Sequence, residues 1–176
     1  MTAIEIRPLA AGDARAWSQL RLEALERDPE AFSSSVIEHR SLSVEEIARR
    51  IDRGDGSNFV IGAFANGRLV GMAGFMRERG TKLHHKGRIW GVYVTSEYRT
   101  QGVGRRILEE ILQRCASMSG LTQVLLSVTM SQTAAARLYK SLGFQSFGCE
   151  PRAIRIGDRF IDEEYMVLQL HSGLPG

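Results

Sequence analysis

The sequence predicts an α/β fold of the α+β kind, a mixed and mostly antiparallel central sheet with helices on both faces. Three observations point there. A hairpin signal, Asn66-Gly67, joins two apolar runs in NFVIGAFANGRLVGMAGFMRE (58–78). Two strand-helix-strand stretches follow it, over 87–129 and 123–149, which mixes crossovers with hairpins. No internal repeat or low-complexity linker divides the 176 residues, so residues 1–170 read as one domain and 171–176, HSGLPG, as a flexible tail.

In chain order, AIEIRPL (3–9) alternates as a first strand. Residues 13–28 carry Ala16, Leu20, Ala24 and Arg27 at helical spacing behind Asp13 as a cap. Residues 43–52 open with Ser43 and Glu46, a capping box. The hairpin 58–78 and the strand GRIWGVYV (87–94) come next. A helix to about residue 118 has its apolar stripe at Val103, Ile107, Leu108, Ile111, Leu112 and Cys115. The strand QVLLSVT (123–129), a helix over 133–142 ended by Gly143, and strands near 144–149 and 159–170 complete the order β-α-α-β-β-β-α-β-α-β-β.

Composition narrows the function classes. Hydrophobic residues are 43% and charged residues 24%, with a net charge of +3, so an acidic small molecule suits the chain and nucleic acid is not required. No run of about 18 apolar residues predicts a membrane span. MTAIEIRPLA lacks the pattern of a secretory signal, and two cysteines, Cys115 and Cys149, suit a reducing compartment. The expectation is therefore a cytoplasmic protein.

The chemistry concentrates in YRTQGVGRRIL (98–108). Glycine inside a helix costs about 1 kcal/mol relative to alanine, yet Gly102 and Gly104 open this one. A helix start leaves about four N–H groups without partners, and with the helix dipole they make a site for phosphate. Glycines there let an anion approach the backbone, and Arg99, Arg105 and Arg106 add positive charge. No Gly-Lys-Ser/Thr follows, so this is no P-loop, and Ile107 stands where G-x-G-x-x-G needs its third glycine. The pattern Arg99, Gly102, Gly104 instead resembles the R/Q-x-x-G-x-G/A motif of the GNAT superfamily of acetyl-CoA-dependent N-acetyltransferases. QTAAARLYKSLGF (132–144) resembles that family's second signature, N-x-x-A-x-x-L-Y-x-x-x-G-F, with Ala135, Leu138, Tyr139, Gly143 and Phe144 in register.

The resemblance implies acetyl-CoA as co-substrate. Its pyrophosphate would rest on the loop of Arg99, Thr100, Gln101, Gly102, Val103, Gly104 and Arg105. Its pantetheine arm would run along Val92, Tyr93 and Val94, with the N–H near Val94 facing the thioester carbonyl. Tyr139 would protonate the leaving thiolate, and Gln132, where the family usually has asparagine, would reach the cofactor arm. Some members carry a glutamate base six residues before the position of Val94. Here that position is Arg88, which leaves Glu78, Glu150, Asp162 and Glu163 open as bases acting through water. His84 and His85 sit in a basic loop (77–88) without ligand spacing, so no metal is expected.

Arg21, Phe32, Trp90, Glu150 and Arg152 are pocket candidates for the acceptor, and an arginine there would favour an amino acid or similar small amine. A polyamine-like compound also fits the family, and a protein N-terminus or lysine is the alternative. The reading from another class is a CoA-sensing or nucleic-acid-binding module without turnover, supported by the basic loop and a pI near 9.1; against it, the basic residues are not interleaved with aromatics. Family members often pair through edge strands, so a homodimer is an expectation carried by the resemblance.

Overall fold

The structure, a computed structural model, describes residues 3–170; the predicted tail 171–176 lies outside the described residues. The elements run β1 (Ile4–Pro8), α1 (Ala14–Arg27), α2 (Val36–Arg40), α3 (Val44–Ile51), β2 (Asn58–Ala65), β3 (Arg68–Arg77), β4 (Lys86–Val94), α4 (Val103–Ala116), β5 (Gln123–Thr129), α5 (Thr133–Ser141), β6 (Gln145–Ile156) and β7 (Arg159–Gln169). The seven strands form one sheet in the order β1-β2-β3-β4-β5-β7-β6. β4 and β5 pair in parallel and every other neighbouring pair is antiparallel. The expected mixed sheet with helices on both faces is what forms. One apolar cluster joins α4 to its face, through Ile107, Leu108 and Ile111 against Ile61, Phe75 and Leu126. A second joins α1 and α3 to the other face, through Trp17, Leu20, Ile47 and Ile51 against Val60, Met72 and Tyr93.

Asn66 (φ 49°) and Gly67 (φ 78°) both adopt the left-handed conformation that a tight hairpin requires. The helix starts hold less uniformly. Ser43 and Glu46 form the capping box expected of them. Asp13 does not cap α1: its carboxylate accepts from the N–H of Ala10 and pairs with Arg7 at 2.8 Å, so it secures the turn before the helix. The buried face of α1 is Ala14, Trp17, Leu20, Arg21, Ala24 and Leu25, rotated from the predicted stripe so that Arg27 is exposed and Arg21 is inside. α2 is an element the sequence reading omits, although Ser35 and Glu38 carry the same capping box as Ser43 and Glu46. β6 also runs past its predicted end at 149, to Ile156, with an irregularity between Glu150 and Ile154 that accommodates Pro151.

Two features of β4 prepare the site. Its register against β3 shifts between Met72 and Gly74, and Gly91 at φ 64° takes up the extra residue as a bulge. Beside it, Gly74 makes room for an indole: a Cβ there would stand 2.2 Å from the Trp90 ring. Just before the bulge β4 leaves its parallel neighbour. Lys86, Gly87 and Arg88 pair with Gln123, Val124 and Leu125, and past these the two strands part.

Candidate active site

The parting of β4 and β5 opens one edge of β4 beside the start of α4. Thr95 donates its N–H to the Val70 carbonyl on β3. By strand alternation the backbone groups of Val92 and Val94 therefore face the other way, into the opening. The Val94 carbonyl already accepts from Arg99 Nε at 2.9 Å, which leaves its N–H, and both polar groups of Val92, for another partner.

The turn into α4 is shaped for an anion. Thr100 at φ 62° and Gly102 at φ 77° are both left-handed, which curves the loop into a concavity of amides. Gly102 is the N-cap, and the first intrahelical bond runs from the Arg106 N–H to the Gly102 carbonyl. The N–H groups of Val103, Gly104 and Arg105 precede that bond and lack intrahelical partners. The two glycines serve differently. A side chain at Gly102 would meet nothing within 4 Å but would strain a left-handed backbone; a Cβ at Gly104 would touch Leu138 and Val94 at ordinary distances, 3.5 and 3.7 Å.

A cleft of about 470 Å³ runs from this turn along β4 and α5. It brings together Phe32, Val92, Tyr93, Val94, Arg99, Thr100, Gly102, Val103, Gly104, Arg105, Gln132 and Tyr139. Gln101 stays outside its lining, with its side-chain amide donating to the Glu97 carbonyl. The arginines of the turn are largely engaged within the fold. Arg99 pairs with Asp28 at 2.6 Å, Arg105 donates to Ser141 Oγ at 2.6 Å, and Arg106 reaches away to the Ile4 carbonyl at 3.0 Å. The positive charge expected of Arg106 is therefore turned away from the loop, while Arg99 and Arg105 remain on the cleft lining beside the amides.

Between the parted strands the cleft narrows to a throat of about 80 Å³, where Trp90, Gly91 and Val92 face Ser127, Thr129 and Tyr139. Tyr139 is buried, and its hydroxyl makes no hydrogen bond among the described residues. Burial pushes its phenol well above the ordinary range, so it keeps its proton at neutral pH.

Past the throat, on the α1 side, a second and wider cleft of about 840 Å³ is lined by Trp17, Arg21, Ser34, His39, Arg50 and Trp90 among others. His39 is the residue here that the sequence reading missed, because it lies on the omitted α2. It is buried, shares a 3.0 Å hydrogen bond with Ser18 and packs on the Trp17 ring. Burial and the nearby Arg21 charge lower its pKa. Trp90 lines both this cleft and the throat, and Phe32 lines both the throat and the α4-side cleft.

Glu150 is not brought to the space. It is exposed on β6, and its carboxylate accepts from the Tyr165 hydroxyl. Arg152 lies with it on the hairpin, stacked over Phe160 at 3.8 Å. Of the four carboxylates open as bases, Glu78 pairs with Arg88 and Asp162 accepts from the Arg152 N–H. Glu163 differs in hydrogen-bonding Ser127, a throat residue, at 3.3 Å. In the basic loop, Arg77 bonds the carbonyls of His84 and Ser119. Among the described residues, no group of three or more His, Cys, Asp or Glu side chains is arranged to hold a metal and no helix is long and apolar enough to cross a membrane.

Known proteins resemble this chain in sequence and in fold. The family model described as Acetyltransferase (GNAT) family matches residues 17–144. The N-alpha-acetyltransferase RimI of Mycobacterium tuberculosis is 35% identical over 99 residues, 56% of this chain and 60% of that protein. A spermine/spermidine N(1)-acetyltransferase of Bacillus subtilis is 29% identical over 92 residues, 50% of this chain and 60% of that protein. Each match thus spans less than two thirds of the relative's length. Among solved structures, a GNAT-family acetyltransferase from Streptococcus pneumoniae superposes with a TM-score of 0.84 at 23% identity, covering 95% of this chain and 99% of that one. The acetyl-CoA complex of yncA from Salmonella typhimurium superposes at 0.81 and 23% identity, covering 96% and 95%. At such identities the likeness is one of fold.

Proposed function

Because the chain belongs to the GNAT acetyltransferase family, we propose that it moves an acetyl group from acetyl-CoA to the primary amine of a small molecule such as an amino acid or a polyamine-like compound. The observation that carries this reading is the throat: parted strands, amides at the α4 start without intrahelical partners and a protonated tyrosine line a cleft and a throat that share Val92, Gln132 and Tyr139. The residues fit the cofactor. Bare glycine backbone and the N–H groups of Val103, Gly104 and Arg105 suit a pyrophosphate, and the open edge at Val92 and Val94 suits an extended amide-bearing arm. Acetyl-CoA, when bound, supplies the activated acetyl thioester.

Val94 contributes an N–H donor fixed on a strand edge, where a preorganised donor to a developing oxyanion is worth about 3 kcal/mol. With acetyl-CoA bound, Tyr139 would give its proton to the sulfur as the carbon–sulfur bond gives way to the new carbon–nitrogen bond, and would recover one from the nitrogen, which sheds a proton on becoming an amide. General acid catalysis of this kind contributes about 10²–10⁴-fold. An alkyl amine is mostly protonated at neutral pH, so its own proton leaves first; Glu163, through Ser127, is the carboxylate with a path from the throat. Gln132, at the N-cap of α5 and on both the cleft and the throat, stands where it can meet the cofactor arm.

A second reading, acetylation of a protein N-terminus, is favoured by the likeness to RimI. One experiment separates the readings: calorimetric titration with acetyl-CoA, followed by thiol-release assays on amino acids, polyamines and short peptides. Micromolar acetyl-CoA binding with turnover of small amines is the expected result. Turnover of peptides alone transfers the reading to protein N-termini, and absence of acetyl-CoA binding removes the enzyme reading.

A further inference from the structure

The α1-side cleft holds a cation with no counter-charge. Arg21 is 7% exposed, and its Nη1 is buried without a hydrogen-bond partner among the described residues. Its Nη2 reaches Ser34 Oγ at 3.5 Å, the limit of such a contact, and its guanidinium lies over the Phe32 ring at 4.6 Å. Arginine is rarely buried unless paired, since an unpaired buried charge is costly. Even the more exposed Arg99 and Arg105 of the α4 turn have carboxylate partners, Asp28 and Glu109. Arg21 departs from it at the point nearest the throat: Nη1 lies 3.3 Å from where a Cβ at Gly91 would stand.

We propose that this cleft selects amines that also carry a carboxylate, as amino acids do, and that Arg21 binds the carboxylate; the proposal rests on the acetyltransferase reading above. A planar carboxylate matches the guanidinium fork and supplies the acceptor oxygens that Nη1 lacks. Bound there, it sits next to Gly91 and Trp90, one residue from the strand edge at Val92, so an amine a few bonds away faces the throat. The rest of the cleft agrees in sign. Arg50 and Arg53 stand on its rim, and the carboxylate of Glu38 is turned to the Ser35 N–H instead of neutralising them. Burial lowers the Arg21 pKa to about 10, which leaves the group cationic at neutral pH. A polyamine would meet these charges as repulsion.

The test compares each of the proteinogenic amino acids with its α-amide and with the amine lacking the carboxyl group, using acetyl-CoA and following thiol release. At least one free acid is expected to exceed both matched analogues by about 100-fold in kcat/KM, because a site built for a polar group rejects analogues lacking it. Arg21→Met is expected to collapse that ratio through KM, with acetyl-CoA affinity unchanged and a melting temperature no lower than wild type, since an unpaired buried charge is removed. Arg21→Lys keeps the charge without the fork and is expected to lose most of the preference. Equal turnover of acids and amides in the wild type, or a ratio that survives both variants, overturns the proposal. Acetyl-CoA binding without turnover of any amino acid also overturns it and leaves the cofactor reading standing; failure to bind acetyl-CoA removes both.

Discussion

The cleft on the α4 side offers mainly backbone, and the cleft on the α1 side offers side chains. On the first, the functional groups are amides of Val103, Gly104 and Arg105 and the open edge at Val92 and Val94, framed by apolar Leu138 and Ala135. On the second they are three guanidinium groups, an imidazole, two indoles and serine hydroxyls, contributed mainly by α1, the 33–42 segment, the α3 end and β4. Backbone recognition depends on where the chain turns and tolerates many side chains around it. Side-chain recognition depends on which residue types converge. A family can therefore share the first surface while its members differ in the second.

That contrast can be broken most sharply at Gly102. At φ 77° a β-branched residue is strained, so Gly102→Val should displace the amides and weaken acetyl-CoA binding by about 100-fold, or ~2.7 kcal/mol, in calorimetric titration. Occupancy of the α1-side cleft by an amino acid, read separately by ligand-induced thermal shift, should change little. Loss of both together would mean that the two surfaces are one cooperative unit.

Tyr139→Phe probes the junction of the two. It removes a hydroxyl and leaves the ring packed on Phe144, so kcat is expected to fall at least tenfold, about 1.4 kcal/mol, with affinity for acetyl-CoA and for the amine both retained. Wild-type turnover in steady-state assays would remove the tyrosine from the reaction.

The smallest effect concerns pH and belongs to the side-chain surface. The folded pKa of His39 lies below the unfolded value of 6.5, with burial first among its causes. The unfolded chain then binds more protons in the interval between the two values, so stability is full above pH 6.5 and is lost as pH falls through the folded pKa. Thermal melts between neutral pH and about pH 5 should decline more steeply for wild type than for His39→Gln, and parallel curves would show that His39 carries none of the acid sensitivity.

The legibility of the two surfaces follows the same division. The turn at 98–108 and the register of Ala135, Leu138 and Tyr139 are local patterns, and the structure brings Arg99, Thr100, Gly102 to Arg105, Ala135, Leu138 and Tyr139 to one cleft. Glu150 looked equivalent to Arg21 as a pocket residue, yet one is on the exposed β6 and the other inside α1. Nothing local distinguishes them, because position across a sheet is settled by strand order. His39 was hidden for a smaller reason: the Ser35–Glu38 capping box was there to be read, but α2 is only five residues long and carries no full apolar period. The roles of Arg99 and Arg106 also needed the tertiary structure, since their partners, Asp28 and the Ile4 carbonyl, are 71 and 102 residues away in the chain.

What the sequence determined by itself is therefore most of the elements and the glycine turn into α4, because capping, hairpin geometry and glycine conformation act between residues close in the chain. The tertiary structure alone decided that β4 parts from β5 after Arg88, that β4 bulges at Gly91 against β3, and that Arg21 is buried without a counter-charge beside it. Each of these is a relation between segments far apart in sequence, set by which faces pack together and which backbone groups are left without a neighbour.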